Sequence, residues 1–200
     1  MAALTKDRSK NVPFTHPTLR PLFQVDFKRS AGDPKYDPET NIHKYGCRFM
    51  CEMAMCQFIA NKKFTKQQIL QIYHAAVDGQ WGNDIMMYNC TVGSREDKLM
   101  KGALEMLGDK KHLISQTMVK GVNTSGDWNI NRLSSSDLPG PGNVYFVIVD
   151  FNTNGSADYG GHHFVLFNGI GELLYDPANG TVHTYRNVNR LLFYKVTSVK

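Results

Sequence analysis

The chain has 200 residues, 42% of them apolar and 20% charged, with a formal net charge of +5. That length supports one domain with its own core, and neither a membrane-spanning apolar run nor a signal peptide is present in the sequence. Residues 1–30 hold six Lys or Arg against two Asp, a surplus of +4 that leaves only +1 for the rest, which argues against a basic nucleic-acid-binding face on the folded part.

Residues 1–40 read as a basic, proline-rich arm, with Pro13, Pro17, Pro21, Pro34 and Pro38 at short intervals. Phe14, Leu19, Leu22, Phe23, Val25 and Phe27 are the side chains that could pin its middle to a core. Asp33-Pro34 and Asp37-Pro38 read as turns. Residues 41–200 then form the domain. Its first strong element is Cys47 to Ala60, apolar around most of its circumference, which predicts a buried central helix. Tyr45-Gly46 is a bend before it, so Cys47 stands at the helix N-terminus.

Thr65 with Gln68 three residues on is a capping box, and predicts a second helix through Val77. Ser94 is the expected cap of a third helix, stopped by Gly108. A strand or short helix is expected around 112–120, followed by a long polar loop to Gly142 that contains Trp128.

After Gly142 the pattern turns to strands. Val144 to Phe151 is a continuous β-branched and aromatic run, as in a central strand. Turns at Asn152–Gly155 and Asn179-Gly180 bracket a hairpin from His162 to Asp176. Two further strands, Val182 to Arg186 and Leu191 to Thr197, close the set. Helices first and an antiparallel sheet second predict an α+β fold.

The four cysteines, Cys47, Cys51, Cys56 and Cys90, lack the spacing of a zinc knuckle or a disulfide framework, so no metal or other cofactor is expected. Reduced thiols and no export signal point to a cytoplasmic protein. Cys51 and Cys56 fall inside the apolar helix and read as core, and Cys90, with no histidine or acidic partner in sequence, reads as a core or surface residue. Cys47 differs: partial positive charge at a helix N-terminus favours thiolate. A histidine at the start of the hairpin and Asp176 at its end could supply a base and its orienting group. His162 and His163 compete for the first role, because strand alternation sends one into the cleft and one away. His43, four residues before Cys47, is a lesser candidate, and His74 and His112 read as surface residues. The Cys47 backbone N–H would face an oxyanion, with the Asn41 amide as second donor.

Asn41…Tyr45-Gly46-Cys47-Arg48-Phe49-Met50 together with His163-Phe164-Val165-Leu166-Phe167-Asn168-Gly169 and Tyr175-Asp176-Pro177 resembles the papain-like cysteine peptidase superfamily, most nearly the bacteriocin-leader-processing peptidases and their bacterial and phage relatives. The resemblance covers about residues 41–180. It implies a helical half packed on an antiparallel sheet and a Cys47-His163-Asp176 triad with Asn41 at the oxyanion. The family's six-residue step from histidine to glycine selects His163. Asn41 stands where the family usually has glutamine, Arg48 replaces a small residue, and the thirteen residues from His163 to Asp176 are a short interval.

The resulting expectation is a thiol-dependent hydrolase of amide bonds in a protein or peptide, with no nucleic-acid or membrane partner. A catalytically inactive papain-like binding or structural module, a hydrolase of peptidoglycan stem peptides and an acyltransferase on the same triad are the alternatives.

Overall fold

A computed structural model describes residues 19–30, 37–122, 146–153, 161–179 and 185–199. The start of the arm, the Asp33-Pro34 turn, the loop with Trp128, the turns completed by Gly155 and Gly180, and most of the Val182 to Arg186 segment lie outside the described residues.

The described part is α+β. Four helices, α1 (Pro38–Tyr45), α2 (Cys47–Ala60), α3 (Lys66–Val77) and α4 (Glu96–Met106), precede five strands. These are β1 (His112–Gly121), β2 (Phe146–Thr153), β3 (His162–Asn168), β4 (Leu173–Tyr175) and β5 (Tyr185–Ser198), in the order β1-β5-β2-β3-β4, every pair antiparallel. No helix among the described residues is long and apolar enough to cross a membrane.

Helix α2 is the hub: apart from Arg48 and Ala60, every residue of it is buried. It lies against β3, while α4 lies against β1. Phe146 and Ile148 of β2 join the helices in one core, and Val147, Val149 and Phe151 belong to a second core. A continuous apolar run suits this strand because both of its faces are buried. It is central, flanked by β5 and β3.

Three expectations need correction. Asp37-Pro38 starts a helix: Asp37 caps α1 by accepting from the Glu39 and Thr40 amides, with Pro38 at the first helical position, where its missing N–H costs nothing. The structured region therefore begins before residue 41. Gln24 also donates to the Ile42 and His43 carbonyls, its N–H bonds the Pro177 carbonyl, and Phe27 is buried, so this part of the arm is built into the domain. Val25 remains exposed.

Ser94 is not the cap of α4; Arg95 holds that position without a side-chain cap bond. Finally, residues 185–198 form one strand, where a break had been expected before Leu191. Asn187 adopts a left-handed φ of 48°, and the β2–β5 register shifts beside Phe151, so an irregularity absorbs the polar stretch without ending the strand. The Thr65 and Gln68 capping box is present as expected.

Candidate active site

Helix α1 runs into α2 through Gly46, which is the C-cap of the first and the N-cap of the second. The corner is tight. A Cβ on Gly46 would lie 2.5 Å from the Ile42 carbonyl oxygen, so only glycine lets Cys47 start the helix there. No side chain caps the N-terminus of α2, so its first N–H groups and its dipole act on whatever charge forms at Cys47.

The hairpin supplies the rest. Tyr175 pairs with Leu166, which sets Asp176 diagonally across from His163. His163 Nε2 donates to Asp176 Oδ1 at 2.8 Å, and Cys47 lies close enough to act on the same ring electrostatically. His163 is wholly buried. Burial by itself would lower its pKa, but the bonds and charges of Asp176 and Cys47 outweigh it and push the imidazole up to about 9. Asp176 Oδ1 also accepts from the Ala178 N–H, so the residue closes a turn and orients the histidine together.

The other thiols differ. Cys51 approaches the Phe164 carbonyl at 3.4 Å and Cys56 the Met100 carbonyl at 3.6 Å. Burial drives the pKa of Cys51, Cys56 and Cys90 well up, which keeps them protonated. All four cysteines are free. His43 bonds the Phe27 carbonyl, His74 faces Asp78 and His112 faces Asp109, so none of the three is drawn to Cys47. Among the described residues no group of three or more His, Cys, Asp or Glu is arranged as a metal site.

The Asn41 amide, the expected second oxyanion donor, is engaged by a tyrosine. Its Nδ2 donates to the Tyr73 hydroxyl at 2.9 Å, and Tyr73 donates to the Tyr88 carbonyl at 2.5 Å. This chain of bonds ties α1 and α3 to the turn that follows Tyr88. That turn carries Asn89, whose Oδ1 accepts from the Thr91 N–H. Asn89 lines the cavity beside Cys47, and Asn41 is not among the described residues that do. Only the fold brings Asn89 here; in sequence it carries just the mark of a short Asn-x-Thr turn.

That cavity has a volume of about 270 Å³. Tyr45, Cys47 and Arg48 form one wall, residues 89–92 another, and His162, Phe164 and Arg190 the third. Asp150 pairs in register with Phe164 on one side and Arg190 on the other, so three strands contribute one row of side chains. Asp150 is 1% exposed and accepts from His162 Nδ1 at 2.9 Å and from Arg190 Nε at 2.9 Å. His162 is thus not turned away from the cleft but forms part of its wall. A charged residue in the apolar run 144–151 was the available signal, because a buried carboxylate requires partners.

Arg48 is committed elsewhere. Its guanidinium bonds Glu52 at 3.1 Å and Glu96 at 2.5 Å, and Tyr194 donates to Glu96 at 3.1 Å. Burial raises the Glu52 pKa, with the nearby Glu96 charge adding to the shift and Arg48 opposing it. The cluster ties the first turn of α2 to α4 and β5.

No protein-family model, curated protein or solved structure matches the chain. The chemistry of the site therefore rests on its own geometry.

Proposed function

We propose that the chain is a cysteine peptidase or closely related amide hydrolase of papain-like type, acting on a protein or peptide. The observation that carries this reading is a buried histidine bonded to Asp176 and close to Cys47, which stands at the uncapped start of a central helix. In this scheme the Cys47 thiolate attacks the scissile carbonyl carbon, and the His163 imidazolium passes its proton to the departing amine. The product is a thioester on Cys47. Water then attacks that thioester with His163 as general base, which releases the acid and regenerates the thiol. Asp176 holds the imidazole with Nε2 protonated, leaving Nδ1 for the sulfur. The Cys47 N–H and the Asn89 Nδ2 are the donors for the oxyanion, with Asn41 supporting the second of them from behind.

The test is alkylation by iodoacetamide, followed by peptide mass spectrometry as a function of pH. Cys47 should react below pH 7 while Cys51, Cys56 and Cys90 stay protected, and His163→Ala should remove that selectivity. A Cys47 as inert as Cys56 overturns the reading and leaves a binding module.

A further inference from the structure

We propose that the cavity beside Cys47 is a carboxylate-binding subsite, in which Arg190 and His162 receive an anionic group of the substrate next to the scissile bond. The inference rests on the reading of Cys47 as nucleophile and adds the substrate class.

Its basis is the distribution of donors and acceptors. Among the described residues no Asp or Glu lines the cavity. The one carboxylate close behind it, Asp150, is buried and uses one oxygen on each of its partners. What the row shows to the cavity is therefore the donor edge of those partners. Arg190 bonds Asp150 only through Nε, and its side chain is 45% exposed. Its terminal Nη groups make no hydrogen bond among the described residues. The guanidinium is also steadied 5.9 Å above the Phe164 ring. His162, its side chain 55% exposed, meets Asp150 and Asn189 through Nδ1, and its Nε2 makes no hydrogen bond among the described residues.

A guanidinium fixed at Nε and open at Nη is organised in advance for an acceptor with two oxygens, and a carboxylate fits that fork. Arg48 does not add to this, because Glu52 and Glu96 hold it. The group could be an acidic side chain within a peptide or the carboxylate at a chain terminus.

Two measurements on the full chain test the subsite. Iodoacetate and iodoacetamide differ by a carboxylate and both alkylate Cys47 with loss of iodide. The ratio of their rates divides out any change in thiolate content. Arg190→Gln should lower the iodoacetate-to-iodoacetamide ratio by about five- to tenfold, and Arg190→Lys, which keeps charge but not the fork, by less. An unchanged ratio in Arg190→Gln overturns the subsite while selective reaction of Cys47 with iodoacetamide still upholds the nucleophile.

The second measurement needs no variant. N-acetylglutamate methylamide and N-acetylglycine are tested for protection of wild-type Cys47 against iodoacetamide. Saturable protection by the first supports an internal acidic side chain, and by the second a terminal carboxylate. Protection by neither overturns the proposal.

Discussion

His162 and His163 are consecutive residues of one strand, and each holds an aspartate, Asp150 at 2.9 Å and Asp176 at 2.8 Å. Chemically the two pairs are the same; their surroundings are not. His163 is sealed from solvent and interacts with a thiol at a helix N-terminus, whereas His162 is more than half exposed and shares its aspartate with Arg190. In the first pair the histidine is the buried member, and in the second it is the aspartate. A buried imidazole between an acid and a thiol is suited to proton transfer, and an exposed one over a buried acid is suited to binding. One strand thus carries two differently surrounded histidine–aspartate pairs on adjacent residues.

The comparison breaks most sharply at the histidines. His163→Ala should slow iodoacetamide modification of Cys47 at about pH 6 by about 100- to 1,000-fold, because thiolate is no longer stabilised by imidazolium. His162→Ala should slow it by no more than about threefold, and equal losses would erase the distinction.

Stability against pH is the next discriminator. The His163 pKa rises from 6.5 to about 9 on folding. Its contribution is therefore fully present below pH 6.5 and is lost as pH rises through about 9. The stability advantage of wild type over His163→Asn, measured by urea unfolding, should narrow by about 3 kcal/mol across that window. A constant difference would mean that Asp176 and Cys47 do not hold the proton.

The aspartates sharpen the point. Burial acts to lower the His163 pKa, so Asp176→Ala should bring its imidazole titration, followed by NMR, down markedly. In Asp150→Ala the released His162 and Arg190 are exposed enough to be hydrated, so the cost should stay near about 1 kcal/mol. A larger cost for Asp150 than for Asp176 would reverse the assignment.

The smallest expected effect lies behind the site. Asn41→Ala removes one buried hydrogen bond and should cost about 1–2 kcal/mol in unfolding free energy. It should also slow modification of Cys47 modestly by loosening the turn that carries Asn89. An unaltered rate would separate that turn from the reaction.

Most elements and one half of the candidate site are legible along the chain. An apolar 14-residue segment beginning at Cys47 can only be a buried helix, and the Thr65 and Gln68 box fixes the start of the next. The step from His163 to Asp176 across a hairpin places an imidazole and a carboxylate side by side through local pairing. These signals are local in the chain, and period and capping chemistry encode them.

The remainder depends on contacts between distant segments. The row of Phe164, Asp150 and Arg190 joins three strands whose register is set by non-local packing, and no stretch of sequence announces it. Nor does the side chain of Asn41 reveal that its amide will meet Tyr73, 32 residues away, and so leave Asn89 to line the cavity. Spacing states which residues are neighbours along an element. The direction in which a buried amide or carboxylate turns is decided by whichever partner satisfies it in the folded interior.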